Sequence, residues 1–300
     1  MKDKNLILVC GPTAIGKTDI AINLARVLDT EIISADSRQF YREMNIGTAK
    51  PSPEQLAAVK HHLVGHLSIH NTYNVSRFEQ DSLAILEGLF KTHDHAILCG
   101  GSGLYIDAVC SGIDDLPDAD EALRARMNKQ LQEEGITSLQ AELKALDPEY
   151  YASVDPENPK RLMRAIEVCR LSGRKYSGLR KSKNKKRDFN IIRIGLNTDR
   201  EILFERISRR NEQMIAEGLV EEARELYDQR ELNALNTVGY KEIFQHFDGI
   251  WSLPLALEKI KTNTRRYAKR QLTWFKKDPS IQWFEPKDFD KILQFIKNKN

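Results

Sequence analysis

The sequence predicts an α/β protein, a parallel sheet flanked by helices and interrupted by an all-helical insertion. Three observations carry that prediction. Short apolar runs ending in turn residues recur at Leu6 to Cys10, Glu31 to Ala35 and Ala96 to Cys99, with helical spacing between them. The first run opens into Gly11, Pro12, Thr13, Ala14, Ile15, Gly16, Lys17 and Thr18, which meets the phosphate-loop pattern G-x-x-x-x-G-K-[ST] at every required position. From Ile113 to Gly173 the strand signals stop and a helical period remains. Alternating strands and helices demand parallel pairing through crossovers, so the core is P-loop NTPase-like. Its first part is 1–112, the insertion is 113–188, and 189–300 is the remainder of the core with C-terminal helices.

Each element has a local reason. After the phosphate loop, Ile20, Leu24 and Val27 repeat at helical spacing over Asp19 to Leu28. The second strand ends at Asp36 and Ser37, the third at Gly100, Gly101, Ser102 and Gly103. Ligands of open α/β sheets bind beyond the carboxyl ends of strands, so these segments should converge on one cleft. In the insertion, Asp118 or Asp120 caps a helix through Leu123, Met127 and Leu131 that stops at Gly135; Leu139, Leu143 and Leu146 continue to Asp147-Pro148. A further helix runs from Asn158 to Leu171 and stops at Gly173. Asn190 to Leu196 returns as a strand, helices follow over Glu201 to Glu217 and Glu221 to Arg230, Thr237 to Lys277 is mostly helical, and Ser280 to Phe284 is a last short strand.

Composition excludes several classes. With 41% apolar residues in 300, a sizeable core is available. No apolar stretch is long enough for a membrane span or a secretory core region, so a cytoplasmic protein without membrane partners is expected. Cys10, Cys99, Cys110 and Cys169 lie far apart, which fits reduced apolar residues and not a disulfide framework or cysteine zinc site. His61, His62, His66 and His70 follow no metal-ligand spacing. The net charge of +3 hides two acid-free basic blocks of eight Lys or Arg each, Arg174 to Arg187 and Lys259 to Lys277. The second interleaves Tyr267, Trp274 and Phe275, a combination suited to a phosphate backbone with bases to stack. No interface signal is visible, so a monomer is expected.

The phosphate loop would bind phosphate through its backbone N–H groups and Lys17, with Thr18 offering its hydroxyl to Mg2+. Asp36, at a strand end, reads either as a magnesium-supporting carboxylate or as a base toward a substrate. Arg210 lies on a helix that reaches Met214. These residues alone leave open whether the phosphates belong to ATP, and a nucleoside or nucleotide kinase or a nucleic-acid-binding NTPase fits residues 1–110.

Further segments, in order, are A-D-S-R-Q-F-Y at 35–41, M-N-I-G-T-A-K-P at 44–51, G-G-S-G-L-Y at 100–105, L-P-D-A-D at 116–120, P-K-R-L-M-R-A-I-E at 159–167, T-V-G-Y-K-E at 237–242 and T-R-R-Y-A-K-R-Q-L-T-W-F at 264–275. With the phosphate loop, this set resembles the tRNA dimethylallyltransferases of bacterial type, also called tRNA isopentenyltransferases. The resemblance implies transfer of a dimethylallyl group from dimethylallyl diphosphate to N6 of adenosine 37 in the tRNA anticodon loop. It implies that the phosphate loop holds the diphosphate with Mg2+ at Thr18, that Asp36 is the base, that Thr13 helps arrange the same centre, and that Ser102 and Arg210 face the diphosphate. The family usually has threonine where this chain has Ser102; the hydroxyl is kept. Asp36, Ser37, Arg38, Gln39, Ser102, Arg124, Lys160, Arg161, Leu162, Met163 and Arg164 fall on segments that touch tRNA in the family.

Overall fold

The computed structural model describes residues 4–180 and 185–299, so Lys181 and Lys183 of the first basic block lie outside the described residues. Six strands form one parallel sheet: β1 Asn5–Cys10, β2 Ile32–Ala35, β3 His61–His62, β4 His95–Gly100, β5 Asn190–Leu196 and β6 Gln282–Phe284. Their order is β3-β2-β4-β1-β5-β6. β1 is buried at every position because both faces of the sheet are covered. Its pleat sends Ile7 and Val9 into one apolar cluster and Leu6, Leu8 and Cys10 into the other. β3 was not foreseen: it is a two-residue edge strand made of histidines, with no apolar run to betray it.

Register decides where the chemistry emerges. Cys10 pairs with Gly100 and Gly100 with Ala35, so β1, β4 and β2 end in one row and Gly11, Gly101 and Asp36 leave the sheet side by side. Helix Lys17–Val27 follows the phosphate loop and buries Ile20 and Leu24 against the sheet. The mostly helical stretch after Thr237 divides into Tyr240–Phe247 and Leu253–Phe275, because Gly249 takes φ +73° and Ser252 caps the second helix by accepting from Leu255 N–H.

Gly112–Lys185 forms a compact unit of its own. Asp120 caps Glu121–Glu134 through Leu123 N–H, and Asn158 caps Pro159–Ser172 through Arg161 N–H. Gly173 ends the latter in the left-handed conformation. Leu123, Met127, Leu139, Leu143, Leu162 and Ile166 make its core. Among the described residues, no helix is long and apolar enough to cross a membrane.

Candidate active site

The phosphate loop takes the shape its glycines permit. Gly11 has φ +148°, and a Cβ there would stand 2.6 Å from the Leu196 carbonyl oxygen, so a side chain is excluded twice over. Ile15 turns inward and is fully buried, leaving its backbone to the site. Lys17 Nζ donates to Pro12 O at 2.8 Å, and Arg206 Nη1 donates to Ile15 O at 2.9 Å. Arg210, one helical turn beyond Arg206 on Arg200–Ala216, donates to Thr13 Oγ1 at 3.3 Å and Ala49 O at 3.4 Å. Burial lowers the pKa of both Lys17 and Arg210, with Asp36 opposing the shift in each. Their hydrogen-bond partners are carbonyls and one hydroxyl, neutral acceptors that compensate the positive charge only in part.

Thr13, Lys17, Thr18, Asp36, Gln39 and Arg210 share one cleft of about 1290 Å³. Asp36 Oδ1 accepts from Arg38 N–H at 3.0 Å. Tyr267 also lines the cleft; burial, with Asp36 nearby, pushes its hydroxyl up to about 12. Ser102 does not line it. Its Oγ accepts from Ser37 N–H at 3.1 Å and donates to Ser37 Oγ at 3.3 Å, stitching the ends of β4 and β2 together. Among the described residues, no group of three or more His, Cys, Asp or Glu side chains is arranged to hold a metal ion. Thr18 lines the cleft, and its hydroxyl is of a kind that can join a Mg2+ which arrives on phosphate oxygens and keeps waters.

Several residues expected at the RNA are already employed by the fold. The Arg38 guanidinium donates to the carbonyls of Asn233, Ala234 and Asn236. Gln39 accepts from Ser34 Oγ and donates to Thr48 O and Ala49 O. Arg187 of the first basic block pairs with Glu79 at 2.6 Å and also donates to Ala108 O and Val109 O. In the helical unit, Glu167 is fully buried and binds Arg124 at 2.8 Å and Arg164 at 2.6 Å. Burial works to raise the Glu167 pKa, but these hydrogen bonds outweigh it and hold the carboxyl below its ordinary range. Leu162 corrects the expectation for its segment: its side chain is in the core and cannot reach RNA. Lys160 and Arg161 beside it are exposed and Met163 is half-buried.

Of four further participants, Arg206, Gln271 and Glu222 carried no sequence signal as site residues, and Tyr267 carried one only for base stacking. Arg206 sits on the phosphate loop, Tyr267 faces the cleft near Asp36, and Gln271 bridges Thr13 N–H and Gly101 O. Glu222 anchors the 44–51 segment, accepting from Asn45, Ile46 and Gly47 N–H and from Tyr240 OH. Gly47 is required because a Cβ would stand 2.5 Å from the Tyr240 ring. Arg206, Gln271 and Glu222 take backbone groups far along the chain as partners, which helical spacing does not announce.

A family model described as IPP transferase matches residues 39–278. A tRNA dimethylallyltransferase of Christiangramia forsetii is 53% identical over 295 residues, covering 98% of both chains. The tRNA dimethylallyltransferase 1 of Bacteroides thetaiotaomicron is 48% identical over 98% of this chain and 96% of its own. Among solved structures, the full-length tRNA isopentenylpyrophosphate transferase of Bacillus halodurans superposes with TM-score 0.72 at 35% identity, covering 99% of this chain and 96% of that one. A eukaryotic dimethylallyltransferase captured acting on tRNA gives TM-score 0.75 at 25% identity, over 90% and 69%.

Proposed function

The chain belongs to the IPP transferase family, that of the tRNA dimethylallyltransferases, and from that premise we infer how its cleft treats each substrate. The enzyme transfers a dimethylallyl group to tRNA. The kinase reading of the phosphate loop is set aside, because it leaves the segments from 116 to 275 without a purpose.

The donor is dimethylallyl diphosphate and the acceptor is N6 of adenosine 37. One observation supports this most: half-buried cations at Lys17 and Arg210, with neutral hydrogen-bond partners, face the same cleft as the Asp36 carboxylate. The loop amides, Lys17 and Arg210 hold the diphosphate, and Arg206 holds the loop. A Mg2+ at Thr18 would add positive charge beside the leaving oxygens. The N6 lone pair forms a bond to the allylic carbon while that carbon's bond to oxygen breaks, and the electron pair departs on the diphosphate. Asp36 orients the amine and accepts its proton. The amine is a poor nucleophile, so stabilising the departing charge by preorganised donors is the larger contribution. The base is unpaired in its loop and enters the cleft by extrusion. Lys160, Arg161 and the exposed cations of Leu253–Phe275 grip the RNA backbone. The proposal requires no second subunit and takes the enzyme to be a cytoplasmic monomer.

The test incubates the enzyme with Mg2+, an unmodified anticodon stem-loop and labelled dimethylallyl diphosphate. Label enters RNA in the wild type, and Asp36→Asn keeps RNA affinity while turnover falls by about 10²-fold or more. Label passing from ATP to a nucleoside instead, or a near-normal single-turnover rate for Asp36→Asn, refutes the assignment.

A further inference from the structure

We propose that Gln271 is a positioning residue of the transfer reaction, the bolt that holds the phosphate loop, the 101–103 turn and helix Leu253–Phe275 in one register. The proposal rests on the reading of the cleft given above. Gln271 is almost fully buried. Its Oε1 accepts from Thr13 N–H at 2.8 Å and its Nε2 donates to Gly101 O at 2.9 Å. A backbone N–H only donates and a carbonyl only accepts, so these partners fix which way the amide faces. Thr13 in turn accepts from Arg210 through its hydroxyl at 3.3 Å. An unbroken run of hydrogen bonds therefore connects Gly101, Gln271, Thr13 and Arg210.

The surroundings are shaped to this one side chain. A Cβ on Gly101 would stand 2.2 Å from Gln271 Nε2, so the glycine leaves room for the amide. One turn before, Tyr267 lines the cleft beside Asp36; three residues after, Trp274 donates from Nε1 to Asp107 at 3.0 Å. The Trp274 ring fills the space where a Gly103 side chain would be, 2.3 Å from a Cβ built there. One helix face thus spans the ends of the strands that carry both substrate sites. A primary amide supplies a donor and an acceptor in one plane at every pH, and a carboxyl matches it only while protonated; an ionised carboxylate would turn a lone pair toward the Gly101 carbonyl, and a thioether satisfies neither partner. Hydrogen bonds at both ends of a buried amide hold their members in place. Releasing Thr13 lets its hydroxyl and Arg210 drift from the leaving group, and a displacement of about 1 Å is enough to cost roughly 10²-fold in rate.

The experiment measures single-turnover transfer from labelled dimethylallyl diphosphate to an anticodon stem-loop for wild type, Gln271→Met and Gln271→Glu, with RNA affinity and thermal unfolding alongside. Absence of transfer by the wild type overturns the reading of the cleft and this inference with it. With wild-type transfer established, Gln271→Met is expected to lose about 10-fold to 100-fold in rate at saturating donor with RNA affinity unchanged. A rate close to wild type overturns this inference alone. Gln271→Glu supplies the independent signature and serves even where the methionine variant unfolds. Its protonated carboxyl reproduces the amide's donor and acceptor, so its rate relative to wild type climbs as pH falls from about 9 to about 6, the range in which buried glutamates titrate. A ratio that stays flat across that range overturns the proposal.

Discussion

Replacing Glu222 by alanine tests whether the 44–51 segment is held by one carboxylate. Asn45 N–H at 2.9 Å and Ile46 N–H at 2.8 Å share Oε2; Gly47 N–H at 2.8 Å and Tyr240 OH at 2.6 Å share Oε1. The Asn45 amide is at the surface and takes water instead. The Ile46 and Gly47 amides and the fully buried Tyr240 lose a charged acceptor in poorly hydrated surroundings, about 1–3 kcal/mol apiece. The bonds share one carboxylate and relax together, so the expected loss is about 3–5 kcal/mol and not the full sum. At the roughly 2–4 °C per kcal/mol that holds for domains of about 150–250 residues, Tm falls by roughly 6–20 °C. The same segment carries Ala49 O to Arg210 and to Gln39, so the donor KM rises too. Calorimetric melting and donor titration read both effects. Tyr240→Phe is the control: Glu222 keeps three amides and about 1 kcal/mol is lost. A Glu222→Ala enzyme that melts with the wild type, or melts early with an unchanged donor KM, refutes the anchoring argument.

Burial lowers the Lys17 pKa, and an incoming diphosphate favours its charged form, so donor binding in alkaline solution is expected to take up protons and to weaken as pH rises; calorimetry in two buffers of different ionisation enthalpy measures the uptake, which Lys17→Ala abolishes. Glu167 and Asp147 both have folded pKa values below their ordinary ones, burial being outweighed by hydrogen bonds from Arg124 and Arg164 and from Ser177 and Tyr150. Their contribution to stability is therefore complete above the unfolded values of about 4.3 and 3.9 and is lost as pH falls through the folded ones, so melting by circular dichroism from pH 6 to pH 3 should steepen there, less so in Glu167→Gln. Removing Lys160 and Arg161 together is expected to flatten the salt dependence of RNA binding by about 1.4–1.8 in slope. Leu162→Ala between them leaves the slope alone and costs about 2–5 kcal/mol of stability, as a core truncation does.

What the sequence disclosed depended on whether a signal was local. The phosphate loop and the strand ends at Asp36 and Gly100 are written in consecutive residues, and register then brings them together. β3 is a pair of histidines recruited by an edge, so no periodicity marks it. Glu222 lies in V-E-E-A-R-E, where it looks like any solvated helix acid; its partners are amides 175 to 177 positions away, which no pattern announces. Gln271 stood inside a conspicuously basic stretch and was overshadowed by the charges around it. The expectation for Arg124 and Arg164 overlooked Glu167, which ends the same P-K-R-L-M-R-A-I-E segment and lies three residues from Arg164, an ion-pair spacing on a helix.

The cations of this chain divide by partner. Arg38, Arg124, Arg164 and Arg187 are tied to carbonyls or to buried Glu167 and Glu79, so the fold itself sets their geometry. Lys17 and Arg210 are different: burial disfavours their charge, and the carbonyls and hydroxyl they meet compensate it only in part. On the proposed reading, that imbalance is what the diphosphate relieves. The relief grows as the allylic bond stretches, because negative charge accumulates on the leaving oxygens while the donors stay where the fold has put them. Stabilisation that increases along the reaction coordinate lowers the barrier; stabilisation already complete in the bound donor would tighten binding only. Neutralising Lys17 or Arg210 should consequently depress the single-turnover rate more than donor affinity, whereas loosening the 44–51 segment, which lines the cleft and meets Arg210 through the Ala49 carbonyl, should do the reverse.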